Sequence, residues 1–303
     1  MEQQNLYIFN FSKFIFKILI SFLIICLIFN YSFEEHVIFK SEISGAFKVN
    51  KIINETKATE IPIFGSSRSL RSFVPSLLGE NYFNYGIAGT QSNIWLFFLE
   101  NELSKEKSTP IIINYDLNGL TYSDGDIANY IPNWNKTKGV LKSKGEIYYH
   151  VPFVKYFGKF ELYSKYLLNN RMNLTKVTDN GGSFEKNVLT SKKFNELVKK
   201  RENTKAKFQI NNNLNKKLNH LIKSTNREII FVISPYHESY FKNYQNLNEA
   251  EAYLNELNDF KNVRVIDLRN FITDNSMFKN TTHLNYLGAV KFSEHIKNIL
   301  PQN

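Results

Sequence analysis

The chain has 303 residues, with 38 Lys and Arg against 28 Asp and Glu for a formal net charge of +10, and a single cysteine. That length allows one sizeable α/β domain plus a membrane segment, and one cysteine excludes both a disulfide framework and a cysteine zinc site within the chain. The lysines are scattered among Asn, Ile and Phe rather than gathered into a stripe, which argues against nucleic acid as a partner.

The first predicted element is the apolar stretch Phe14 to Phe33, interrupted mainly by Lys17, Ser21, Asn30 and Ser32. At ~1.5 Å per residue, about twenty residues just cross a hydrocarbon core of roughly 30 Å, with Lys17 snorkelling toward the headgroups. The uninterrupted run Ile18 to Phe29 also has the length of a signal-peptide core. No A-x-A-like site follows, however, and Ile25 before Cys26 lacks the small side chain of a lipoprotein signal, so a retained anchor is expected. Lys13 and Lys17 precede the run and Glu34 and Glu35 follow it. This bias predicts a single-pass cell-membrane protein with a cytoplasmic N-terminus and an extracytoplasmic C-terminal domain. The expected organisation is therefore a cytoplasmic tip and anchor over 1–33, a stalk or leading segment over 34–58, and a main domain over 59–300.

From residue 60 onward, short apolar runs alternate with helical patterns. Glu60–Phe64, Asn81–Ile87, Thr109–Tyr115, Glu228–Ser234 and Asn262–Leu268 are β-branched or aromatic runs with turn residues behind them, as expected of buried strands in a parallel sheet. Helices are predicted over 91–104, 208–224, 241–258 and 285–299. In the second of these, Leu214, Leu218, Leu221 and Ile222 share a face; in the last, Ala289, Phe292, Ile296 and Ile299 do. The βα alternation implies an α/β fold, an open doubly wound sheet of about five parallel strands whose ligands lie beyond the strands' carboxyl ends.

Residues 120–207 interrupt this rhythm. The interval is too long for a crossover helix and reads as a long, mainly helical insertion, with an aromatic-rich stretch from Glu146 to Leu168. Two readings stand side by side: aromatics that form the insertion's own core, or a cap that lines a groove through Trp134, Tyr148, Tyr149 and His150.

Two short segments carry chemistry. Gly65-Ser66-Ser67 closes the first strand, where a serine hydroxyl stands at the sheet's carboxyl edge beside the next helix's backbone N–H groups; an N-cap serine has the same pattern. His283 lies after the last strand and ahead of the terminal helix, from where it can reach back as the general base a serine requires. Ser234-Pro235-Tyr236-His237 ends the fourth strand, so Tyr236 and His237, together with Arg68 beside the serine, are candidates for substrate contact. Pro235 is equally a simple strand terminator.

Together these segments resemble the SGNH (GDSL-like) hydrolase superfamily, and more narrowly its membrane-anchored polysaccharide O-acetylation and DltD-like members. The resemblance covers about residues 58–300 outside the insertion and implies a flavodoxin-like three-layer sandwich. Gly65-Ser66-Ser67 matches the family's G-D-S block with Ser67 as nucleophile. Asn84-Tyr85-Gly86-Ile87-Ala88-Gly89 matches the second block, with Gly89 in the oxyanion hole. Asp116-Leu117-Asn118-Gly119 is the nearest match to G-x-N-D, which nominates Asn118 for that hole, with Asn114 as a substitute. The last block, D-x-x-H, departs from the pattern: His283 is present, but Asn280 occupies the aspartate position, where a neutral amide orients the ring without stabilising an imidazolium. Asp274 is a nearby carboxylate that would substitute.

The resemblance implies a cofactor-free and metal-free Ser-His enzyme moving acyl esters on or off a cell-surface glycan, by transfer or hydrolysis, alongside a membrane-bound acyltransferase partner. The alternative, motivated by Asn280, is a degenerate domain that binds glycan or scaffolds a polysaccharide assembly system.

Overall fold

A computed structural model describes residues 2–33, 36, 42, 44–122 and 176–301. Trp134, Tyr148, Tyr149 and His150 lie outside the described residues. The chain divides into two units, Met1–Ser41 with Ile131–Met172, and Glu42–Tyr130 with Asn173–Asn303. In the first, α1 (Glu2–Phe33) contains a 20-residue span, Asn10–Phe29, long and apolar enough to be a membrane span or signal anchor. Its large side chains, Phe22, Ile25 and Ile28 among them, are exposed.

The second unit is mixed α/β and begins with α2 (Gly45–Asn54), capped by Ser44, whose Oγ accepts from the Phe47 N–H at 3.0 Å. This helix belongs to the body, so the main domain starts before the expected boundary at residue 59. Its apolar face, Ala46, Val49 and Ile52, is buried. So is Lys48, whose Nζ donates to the Gly86 carbonyl at 2.6 Å and the Gly181 carbonyl at 2.7 Å. A charged residue in a ten-residue helix reads as solvated, and only these two carbonyls reveal why this one is not. Burial holds the Lys48 amine well below its usual range.

The elements that follow are β1 (Ile61–Phe64), α3 (Ser67–Ser72), α4 (Pro75–Leu78), β2 (Tyr82–Asn84), α5 (Ser92–Leu103) and β3 (Ile111–Asn114). Beyond the undescribed stretch come α6 (Ser191–Glu202), α7 (Asn212–Lys223), β4 (Ile229–Ile233), α8 (Leu247–Asn258), β5 (Val263–Asp267) and α9 (Tyr286–Lys297). The five strands form one parallel sheet in the order β5-β4-β3-β1-β2. In its register Ile63 faces Ile112, Ile112 faces Ile230, and Ile230 faces Arg264. The run from β1 through β2 winds one way and that from β3 through β5 the other, so chain direction switches between β1 and β3, where such sheets open a crevice.

Strands buried on both faces explain why the sequence shows continuous apolar runs rather than alternation. Ile61, Ile63, Ile112, Ile230 and Val232 pack with Phe73, Phe292 and Ile296 from the segments around α3 and α9. From the alternate positions, Phe64 meets Phe98 of α5 at 5.9 Å between ring centroids. Each such side chain contributes about 1.5–3 kcal/mol by leaving water.

The described part of the insertion is not all helical. Leu120 lies in a short strand, Gly119–Leu120, paired with Gln209–Ile210; from residue 176 an antiparallel hairpin, Lys176–Asp179 with Gly182–Glu185, precedes α6, and a short strand, Ala206–Lys207, pairs with Tyr244–Gln245. The hairpin turn caps the edge strand: the Asn84 N–H donates to the Asn180 carbonyl at 2.9 Å.

Replacing Lys48 with Ala removes two buried hydrogen bonds and the packing of the stem, so a loss of about 2–4 kcal/mol is expected. A lower urea midpoint for the detergent-solubilised full chain, at unchanged slope, is the reading that checks it.

Candidate active site

The segments that close β1, β2, β3 and β4, together with the loop after β5, meet at the sheet's carboxyl edge. They line a cleft of about 430 Å³ whose walls include Ser67, Gly89, Asn118 and His283. The β1–α3 turn is built so that its two serines do different work. Ser66 is the N-cap, its Oγ accepting from the Arg68 N–H at 3.2 Å and donating to Asp116 Oδ2 at 2.5 Å. Ser67 is thereby left as the first helical residue with its hydroxyl facing the cleft. Gly65 makes the turn at φ +147°, where a Cβ would fall 2.7 Å from the Ser69 Cβ.

Ser67 Oγ lies 2.7 Å from His283 Nε2 although 216 residues separate the two. On the other side of the ring, Nδ1 is 3.0 Å from Asn280 Oδ1. That oxygen also accepts from the Thr282 and His283 backbone N–H groups, each at 3.0 Å. Two backbone donors fix which end of the Asn280 amide is the oxygen, so Nδ1 carries the proton and Nε2 is the acceptor for the Ser67 hydroxyl. Thr282 Oγ1 stands 3.2 Å from Nδ1 as well. Asn280 therefore sits where a third triad member would. Asp274 does not: it is exposed, and its carboxylate caps the turn at Ser276, accepting that N–H at 2.8 Å.

Burial, reinforced by the positive charges of Arg68, Arg71 and Lys279, lowers the His283 pKa to about 3. The ring is neutral across ordinary pH and able to accept a proton, but among the described residues no carboxylate favours the imidazolium that would follow.

The two oxyanion candidates both line the cleft. Gly89 holds φ +76°, and a side chain added there would point into open space. Asn118 accepts from the Tyr240 hydroxyl through Oδ1 at 3.4 Å. Asn114, the alternative, is fully buried as the last residue of β3 and does not line the cleft.

The candidates for substrate contact fare differently. Arg68 is buried, and its donors are taken up by the protein: Nη1 to the Thr282 carbonyl at 2.6 Å, and Nη2 to the Ser234 carbonyl at 2.6 Å and Oγ at 2.8 Å. Its Nε lies 3.1 Å from Asp116 Oδ1, close enough for an ion pair though not aligned for a hydrogen bond. Arg68 is thus a bracket between loops rather than a free binding group. Tyr236 touches the cleft but is 2% exposed; its ring lies under that guanidinium at 3.2 Å, and its hydroxyl accepts from the Leu117 N–H at 3.0 Å. His237 is not in the cleft. Its Nδ1 pairs with Ser239 Oγ and its Nε2 with Asn275 Oδ1, each at 2.8 Å, and the ring packs edge-on against Phe194 and Phe278.

Sequence reasoning did not single out Asp116, the first residue of the D-L-N-G segment. It is buried against Ser66 and Arg68, and burial raises its pKa despite the Arg68 charge. Nor did it single out Arg201 and Lys207, which bring the insertion to the cleft wall.

No family model matches the chain, and no curated relative is found. Among solved structures, a protein from Streptococcus pneumonia provisionally named platelet activating factor is similar at 14% identity and a TM-score of 0.45, over 88% of this chain and 96% of that one. A likeness at that level bears on neither the fold nor the chemistry.

The depressed His283 pKa has a fixed sign in stability. The unfolded chain takes up a proton near pH 6.5 and the folded one only near 3, so stability falls as pH drops through that window, by up to about 1.4 kcal/mol per pH unit. His283→Gln is expected to flatten this acid slope in urea titrations from pH 7 to 4, and Asn280→Asp to raise the His283 pKa measured by NMR.

Proposed function

We propose that the chain is an SGNH-type serine esterase or O-acyltransferase, carried on a membrane anchor and acting on acyl esters of a cell-surface glycan. The observation that carries the reading is the 2.7 Å contact from Ser67 Oγ to His283 Nε2 in a ring whose Nδ1 is held by Asn280 Oδ1. The sheet order β5-β4-β3-β1-β2, with helices packed against it, supports the flavodoxin-like three-layer arrangement of that superfamily.

In this mechanism Ser67 Oγ attacks the acyl carbon while His283 Nε2 takes the hydroxyl proton. The carbonyl oxygen gains charge, which the Ser67 and Gly89 N–H groups and the Asn118 amide stabilise. The sugar oxygen leaves with the proton returned by His283, and Ser67 carries the acyl group. Water or a second sugar hydroxyl then attacks the acyl-serine, giving hydrolysis or transfer. The apolar span Asn10–Phe29 supports a retained anchor, with the lysines before it favouring a cytoplasmic N-terminus. An anchored acyl carrier of this kind works beside a membrane-bound acyltransferase partner.

Asn280 favours a second reading, a domain that keeps the fold and binds glycan after losing the acid. Hydrolysis of p-nitrophenyl acetate by the solubilised full chain separates the two. On the catalytic reading, Ser67→Ala lowers turnover at least about a thousandfold. Turnover that appears only in Asn280→Asp identifies the degenerate domain.

A further inference from the structure

A guanidinium never loses its charge and carries five N–H donors, so an arginine whose donors are hidden from water without acceptors is waiting for an anion. Among the described residues two arginines line the cleft, and each has a buried donor without an aligned acceptor. In Arg68 that donor is Nε alone, which already faces the Asp116 carboxylate, while the rest of the guanidinium is taken up by Thr282 and Ser234. Arg201, from the last turn of α6, has Nε and Nη2 shielded from solvent with no aligned acceptor for either, the Tyr240 hydroxyl being the polar group that approaches the guanidinium. These two nitrogens lie on one edge of the guanidinium, the edge that grips two oxygens of a carboxylate or phosphate side by side. The plane is held from beneath by the Tyr240 ring, 4.2 Å from the guanidinium carbon. Tyr240 in turn is bonded to Asn118, so the arginine is braced against the candidate oxyanion wall.

The charge around the cleft agrees with this. Lys207 adds a second cation to the wall, and the one carboxylate among the described lining residues, Asp116, already faces Arg68 and Ser66. The surplus charge on the wall is positive.

We propose that Arg201 is a specificity-determining residue that grips an oxyanion, carboxylate or phosphate, on an anionic acyl-ester substrate while the ester lies at Ser67. The inference rests on the reading of this cleft as the substrate site, and it names the substrate class as acidic rather than neutral glycan.

The test is a calorimetric titration of the detergent-solubilised full chain carrying Ser67→Ala, which leaves esters intact. Three probes are compared: an O-acetylated oligogalacturonate, an O-acetylated glycerol phosphate oligomer, and an O-acetylated xylo-oligosaccharide, which is neutral. At least one anionic probe is expected to bind about tenfold more tightly than the neutral one, and which of them does so distinguishes carboxylate from phosphate. Added Arg201→Gln is expected to abolish that preference and Arg201→Lys to retain part of it, the latter also showing that the cleft is still folded. Equal binding of neutral and anionic probes, no binding of either anionic probe at millimolar concentration, or a preference that survives Arg201→Gln overturns the proposal. Ester turnover by the chain with Ser67 intact reports on the catalytic reading separately, so either can fail alone.

Discussion

One buried cation organises the carboxyl edge of the sheet. Arg68 leaves the β1 turn and reaches the ends of β3 and β4 and the loop that carries His283, touching Asp116, the Ser234 carbonyl and the Thr282 carbonyl from a site only 5% exposed. A guanidinium withdrawn from water is costly unless nearly all its donors are met, and here the required acceptors come from separate loops. Those loops are held in mutual register by the need to satisfy it. Ser67 is the residue before Arg68 and His283 the residue after Thr282, so the bracket fixes both sides of the 2.7 Å contact.

The same cation bears on the chemistry. Lying beside the imidazole, it works with burial to keep the ring neutral, while Asp116, which balances its charge, is engaged with Ser66 rather than with Nδ1. Orientation and charge stabilisation, usually combined in one aspartate, are divided here. Asn280 supplies the first through an oxygen that also closes the turn at Thr282 and His283. Among the described residues no group on that side of the ring supplies the second. On the proposed mechanism, such an arrangement would give a well-aimed base of low strength.

Much of the fold is legible in the sequence because strands covered on both faces must be apolar throughout. Ile61–Phe64, Ile229–Ile233 and, up to its last residue Asn114, Ile111–Asn114 are such runs, and the Leu214, Leu218, Leu221 and Ile222 stripe of α7 is buried as its spacing requires. The position of Ser67 in the turn after the first strand is legible too, since turn chemistry is local, and His283 is legible as the histidine ahead of the terminal helix. The roles of neighbouring polar residues are not. Arg68, Tyr236 and His237 have the side chains of binding residues, yet packing directs their polar atoms to other protein groups. Lys48 shows the converse, a charge that looks solvated until two distant carbonyls converge on it. Arg201 lies within a run of basic residues, and only tertiary placement distinguishes it from Lys199 and Lys200.

The 216-residue separation of hydroxyl and imidazole also has a temporal consequence. During synthesis the serine emerges early and the histidine near the end, as do β5, which pairs with β4, and α9, which packs against α3 and α4. If Ser67 is the nucleophile proposed above, a nascent or truncated chain would hold it without its base, and completion of the fold would be the step that makes it reactive.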